Sequence, residues 1–395
     1  MTSRLFIPLS VAFALLVVLS GCEASQSEPA RAEAATGYDP ATDSLRFTGE
    51  VHLRNIRQLT FGGNNAEAYW SFDDSQLIFQ SDWDQINSQG CDQIYVMNAD
   101  GSALSDGQQY RLVSTGTGRT TCSYFMPDGR ILYGSTHEGA LECPPPPEAA
   151  QGRYLWAIYD TYDIYTANPD GTDPQLLIGG EGYDAEATVS PDGRYIVFTS
   201  TRSGDLELWR YEIATGDLLQ LTDEVGYDGG AFFSRDSQKI VWRASRPTGQ
   251  DAETYKALLA DDLIEPGALN LFVADADGSN ARQVTDMPGA NWAPFFHPSG
   301  EKIIFASNFE SVVGGRPIFA LYMVNTDGTE LTQITRSNTF DAFPMFSFDG
   351  TKLVFASNRN VTRTPTRDTN VFVADWIAEP EPVDLGFKGI EAAGE

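Results

Sequence analysis

The stretch Gly182–Arg202 reads GYDAEATVSPDGRYIVFTSTR, and Gly226–Arg246, 44 residues further on, reads GYDGGAFFSRDSQKIVWRASR. Both carry an aspartate, a serine-led turn, an apolar strand and an arginine in the same order. Aligning on the apolar strand brings out six copies of one unit: SFDDSQLIF (Ser71–Phe79), MPDGRILY (Met126–Tyr133), SPDGRYIVF (Ser190–Phe198), SRDSQKIVW (Ser234–Trp242), HPSGEKIIF (His297–Phe305) and SFDGTKLVF (Ser347–Phe355). A second strand follows each, such as QIYVMNADG (Gln93–Gly101) or NLFVADADG (Asn270–Gly278). Then comes a short strand ending before threonine, as in LLQLT and ARQVT. Asp-Gly between β-rich runs signals a hairpin, because glycine takes the positive φ of the turn at no steric cost. The unit is therefore four strands, a to d, repeating every 44 to 64 residues. That period and content predict an all-β chain, a six-bladed β-propeller of four-stranded antiparallel blades.

These repeats, SPDGRYIVFTSTRSG…LWRYEIATG…LLQLT among them, resemble the WD40-like repeats of TolB-type six-bladed propellers, over about residues 50–376. The resemblance implies the fold and leaves function open. Propellers of this type include binding proteins, accessory domains of peptidases and a few lyases. Ring closure follows from strand counting. IRQLT (Ile56–Thr60) is a d-type strand ahead of the first a-strand, and the last copy stops at its c-strand, NVFVADW (Asn370–Trp376). The N-terminal strand is expected to complete the sixth blade, which removes an open edge; the tail EPEPVDLGF (Glu379–Phe387) competes for that place.

Four segments result: 1–22, 23–50, 51–378 and 379–395. The first joins a positive Arg4 to an apolar run, Leu5–Leu19, and LSGC (Leu19–Cys22), which resembles the bacterial lipobox with Cys22 as the lipidated residue. The alternative is an ordinary export signal with a chance cysteine. Glu23 after the cysteine then implies the outer membrane. Residues 23–50 are small and polar and read as a flexible tether, 51–378 form the propeller, and 379–395 are a tail. Acidic residues number 55 against 26 basic ones, a net charge of −29, which excludes a phosphate backbone as partner.

Within a blade the a–b and c–d turns lie on one face and the b–c and d–a loops on the other. The first face is plain, whereas the second takes every long insertion, where function is normally carried. The d–a loops bring Asn65, Thr120, Asp184, Asp228, Asn291 and Asp341 to the channel on that face. Two residues on stand Glu67, Cys122, Glu186, Gly230, Ala293 and Phe343. One expectation is an acidic funnel for Ca²⁺ or a basic peptide. Another is structural. Asp184, Asp228 and Asp341 are each followed 18 residues later by Arg202, Arg246 and Arg359, and copies lacking the aspartate lack the arginine. That co-occurrence predicts within-blade ion pairs and leaves Glu67 and Glu186 as the acidic ligand candidates.

Cys91, Cys122 and Cys143 all fall on the loop-rich face. Three pairings are open outside the cytosol, with Cys122–Cys143 preferred. A Cys/His metal site with His137 would have too few ligands. The insertion LECPPPPEAAQGRYLWAIYDTYD (Leu141–Asp163) offers Trp156 and Tyr159 either as exposed contact anchors or as a lid over the channel. The fourth-blade insertion (Gln250–Gly267) predicts a short helix carrying Leu258, Leu259, Leu263 and Ile264. No G-x-S-x-G elbow, Walker loop or dinucleotide fingerprint occurs, and His297 fills a turn position held elsewhere by serine or methionine. The expectation is a monomeric, lipid-anchored envelope propeller on the periplasmic side of the outer membrane. It would bind a protein or peptide on its loop-rich face without catalysis. The alternatives are a polysaccharide- or peptide-acting enzyme using Glu67 or Glu186 with an arginine or His137, and an accessory to a peptidase.

Overall fold

Six four-stranded antiparallel sheets follow one another around a central channel in the computed structural model, which describes residues 43–145, 153–310, 312–313, 316–360 and 367–379. The leader with Cys22, most of the tether and the tail from residue 380 lie outside the described residues. Strand a is innermost. From the first blade to the sixth the a-strands are Asn65–Trp70, Thr120–Phe125, Asp184–Val189, Asp228–Phe233, Asn291–Phe296 and Asp341–Phe346.

The aromatic at the centre of each b-strand faces an aromatic on the c-strand beside it: Phe79–Tyr95, Tyr133–Tyr165, Phe198–Trp209, Trp242–Phe272, Phe305–Tyr322 and Phe355–Phe372. Such cross-strand pairs are the unit of sheet stabilisation. All six b-strand aromatics are fully buried between blades, so the repeat seen in the sequence is the repeat of the core.

Leu53–Gln58 pairs antiparallel with Asn370–Trp376 and supplies the fourth strand of the sixth blade. The N-terminal strand closes the ring, as strand counting predicts. The expected tether overlaps this closure at residues 43–50, and there the chain is packed. Leu45 is buried beside Leu53, Ile56 and Phe355. The Glu50 carboxylate accepts from Arg359 Nη2 at 3.0 Å, and the same Nη2 donates to Asp341 at 3.1 Å. A buried guanidinium shared by two carboxylates thus ties the incoming chain to the last blade.

The fourth-blade insertion forms a helix over Gly249–Leu259, but Leu263 and Ile264 leave it. They pair instead with Trp156 and Ala157 from the second-blade insertion. A long-range strand pair overrides the helical spacing of these apolar residues.

Candidate functional site

Every a-strand carries a β-bulge at the same place, and the bulged residues are the six that the repeat alignment puts two positions after the aspartate. Glu67, Cys122, Glu186, Gly230, Ala293 and Phe343 have φ of +52°, +40°, +58°, +59°, +49° and +54°. The strand registers shift around each of them. One extra residue per strand sharpens the local twist, and the bulge turns its side chain toward the axis, where all six line one cavity. Five of the six are not glycine. Left-handed backbone at such positions costs on the order of 1 kcal/mol each and concentrates at functional sites.

The predicted within-blade ion pairs are present. Arg202 reaches Asp184 at 2.7 Å, Arg246 reaches Asp228 at 2.7 Å, and Arg359 reaches Asp341 at 3.1 Å. In the first and fifth blades the neutral Asn65 and Asn291 occupy the position and accept from Ser81 and Ser307 at 2.8 and 2.6 Å. The three aspartates therefore hold strand a to the end of strand b. His137 packs at 4.3 Å on Tyr165 with Nδ1 on Ser135, away from the mouth.

Glu186 is not left without a partner, contrary to the expectation from the repeat. Arg243, on strand b of the fourth blade (Lys239–Ala244), donates from Nη2 to Glu186 Oε1 at 2.7 Å and to the Tyr227 hydroxyl at 2.7 Å. Tyr227 and Thr199 hydroxyls and the Gly230 amide also donate to Glu186. This pair joins neighbouring blades, so comparison within a single repeat does not reveal it. Two signals were nevertheless available. Arg243 stands where the other copies have Gln80, Gly134, Thr199, Ala306 and Ala356. Its own blade also has consecutive glycines at the bulge. A Cβ on Gly230 would collide with the Arg243 guanidinium, and one on Gly229 would collide with Tyr227 and Glu186. The two glycines make the room in which the arginine enters the channel.

Glu67 differs. Its Oε2 is buried with no hydrogen-bond partner. Burial pushes its carboxyl up to about 7, against the opposing pull of the Cys122 thiol and Arg243. Burial also pushes the Cys122 thiol well up, which keeps it protonated.

The disulfide joins Cys91 to Cys143, with Cα atoms 5.9 Å apart, and Cys122 is free. The expected Cys122–Cys143 pairing fails because the bulge turns Cys122 into the channel ring, while the insertion passes over the start of strand c in the first blade. Trp156 is half-buried. Its ring lies 6.1 Å from Tyr227 and 6.0 Å from Trp292, with the Arg243 guanidinium 5.6 Å away. The Tyr159 hydroxyl donates to Pro145 O at 2.7 Å. Of the two expectations for this loop, the lid is what forms, and Tyr154, 73% exposed, is its outward aromatic. Together the walls and lid enclose a cavity of about 380 Å³ at the mouth. Among the described residues no group of three or more His, Cys, Asp or Glu could hold a metal ion.

No family model matches the chain. It is 26% identical over 168 residues to an uncharacterized protein of Agrobacterium fabrum, covering 41% of this chain and 53% of that one. It is 29% identical over 134 residues to the Tol-Pal system protein TolB of Anaeromyxobacter dehalogenans, covering 34% of this chain and 26% of that protein. The chain thus matches about half or less of these relatives' own lengths. Among solved structures, the fold is similar to that of a candidate TolB from Agrobacterium tumefaciens. The TM-score is 0.51 at 18% identity, over 83% of this chain and 97% of that one.

Proposed function

We propose that this chain, a TolB-type six-bladed propeller, is a non-enzymatic binding protein of the bacterial envelope that takes a protein or peptide partner at the channel mouth. The observation carrying this reading is the ring of six bulged residues, whose strained backbones ring the axis beneath a tied-down aromatic lid. The matches to proteins named for the Tol-Pal system favour an envelope protein as partner. In this reading Cys22 carries the lipid anchor, residues 23–42 are the reach of the tether, and the propeller is a monomer facing the periplasm. Net acidity favours a partner with basic groups.

Partner capture from envelope extract tests this. Wild-type chain should retain a saturable partner, and Trp156→Ala should lose it while keeping its fold. Equal retention by the variant would place the interface away from the mouth. A second reading, an enzyme acting in the channel, draws on the Glu67 carboxyl lying near neutrality beside Arg243, a setting suited to acid–base work. Turnover of an oligosaccharide or peptide, lost in Glu67→Gln, would favour it over simple binding.

A further inference from the structure

The charges lining the mouth do not balance. Among the described residues that line it, Glu67, Asp92 and Glu186 face Arg119 and Arg243, three carboxylates to two guanidinium groups. Glu186 is paired with Arg243 at 2.7 Å and Asp92 with Arg119 at 3.7 Å. The odd carboxylate is Glu67, which is also the one with a buried oxygen lacking any hydrogen-bond partner. A buried acceptor without a donor is costly and rare in folded proteins.

A second unmet group lies in the same cavity. The Arg243 side chain is only 9% exposed, yet its Nε has no acceptor. The site therefore presents one unfilled anionic acceptor, Glu67, and unfilled donors on Arg243 Nε, Arg119 Nε and Trp292 Nε1, of which Arg243 Nε belongs to the residue paired with Glu186. Its remaining walls are aromatic: Tyr162, Tyr183 and Tyr227 below the lid, with Trp156, Trp292 and Phe343. Aromatic faces attract a desolvated cation. Burial holds the three tyrosine hydroxyls well above their ordinary range, so they add no charge.

We infer that this pit receives a primary ammonium group of a peptide, its charge on Glu67 and a neighbouring amide carbonyl on Arg243 Nε. One monocation brings the lining to neutrality, and the amide supplies an acceptor for Arg243 Nε. The same chemistry occurs at a peptide's free amino terminus and, with a longer spacer, at a lysine side chain. The inference rests on the proposed binding role of the mouth and names the group recognised there.

Binding of a cation needs Glu67 ionised. Its raised carboxyl is faced by Cys122 from the second blade, Glu186 from the third, Arg243 from the fourth and Asp92 from its own blade. Cys122 stays protonated, and Glu186 and Arg243 are locked in their ion pair. Asp92 is itself raised by burial, which outweighs the opposing pull of Arg119. Affinity for an ammonium should therefore rise as pH climbs toward and past about 7.

The test is calorimetric titration of the full chain with three probes: glycylglycine amide, Nα-acetyl-lysine amide and Nα-acetyl-glycine amide. At least one of the two amines should bind, and the neutral acetyl-glycine amide should not. Affinity should increase about 25-fold from pH 5.5 to 7.5, the change in ionised fraction expected for one buried carboxyl at about 7. Glu67→Gln should remove both the affinity and the pH dependence; its melting curve checks folding, and the wild-type pH profile stands without it. Which amine binds distinguishes a terminus from a lysine. Absence of amine binding, equal binding of the acetylated control, or unchanged binding by Glu67→Gln would overturn the inference. If that happens while wild-type chain still captures a partner lost by Trp156→Ala, the mouth remains the binding site and only its ligand chemistry is wrong.

Discussion

Glu186 and Arg243 lie on adjacent blades, 57 residues apart in the chain, with Oε1 and Nη2 separated by 2.7 Å. Both side chains are 9% exposed. Their pairing joins neighbouring blades at the channel mouth, and it decides which charge remains for a ligand. Breaking a buried pair from one side strands a charge and costs about 3–5 kcal/mol, whereas removing both ends costs less. Arg243→Leu alone should therefore destabilise the chain more than Glu186→Leu with Arg243→Leu together. A double-mutant cycle by denaturant unfolding measures this; additive losses would mean the two groups do not interact.

At the closure of the ring, Arg359 is wholly buried between Glu50 and Asp341. Glu50→Ala should lower stability by about 2 kcal/mol or more, since it removes one carboxylate from a desolvated guanidinium. Hydrogen exchange should then show the earliest opening in Leu53–Gln58 and its partner strand Asn370–Trp376, with the third blade unaffected. Uniform loss of protection around the ring would argue against a local clasp.

Disulfide chemistry separates the two kinds of cysteine. Cys143→Ser should lower stability under oxidising conditions by about 2–4 kcal/mol, the usual effect of opening a loop of this size, here with a sequence separation of 52. Cys122→Ser should leave the disulfide and its peptide map intact. Recovery of a Cys122–Cys143 linked peptide by mass spectrometry would contradict the geometry.

Glu67 also makes a prediction for the unliganded chain. Its folded carboxyl lies near 7, above the unfolded value, because burial disfavours the charge. Such a group contributes stability that is full below the unfolded value near 4.3 and is lost as pH rises through 7, at up to about 1.4 kcal/mol per pH unit. Glu67→Gln should match wild type at about pH 4 and increasingly exceed it toward pH 8. Burial lowers His52, His137 and His297, which acts in the opposite direction on the absolute curves. The difference between the two proteins isolates Glu67.

If Cys22 carries lipid, Cys22→Ser should move the protein from the membrane fraction to the soluble one. Retention of the unlipidated variant at the membrane would set that anchor aside.

What the sequence made legible is what repeats. The blade strands, the six channel-facing positions and the three Asp–Arg pairs recur within a blade, so aligned copies expose them. Glu186–Arg243 was hidden because its partners belong to different blades. Only a departure from the repeat, an arginine among small or polar residues beside a double glycine, marked it. The Cys91–Cys143 bridge and the Trp156–Ile264 pairing depend on the paths of two insertions with no counterpart in other copies. Residues 43–50 look like tether by composition, yet Leu45 and Glu50 each find a buried partner that only the closed ring provides.

The central claim is that the partner sits at the lidded mouth. A photo-crosslinking amino acid tests it most directly when placed at Tyr154, exposed on the lid, and in a second protein at Arg235, exposed on an a–b turn of the opposite face. Irradiation in cells should give a discrete adduct from position 154, weakened by Trp156→Ala, and none from position 235. A discrete adduct from 235 alone would contradict the account and put the binding surface on the plain face.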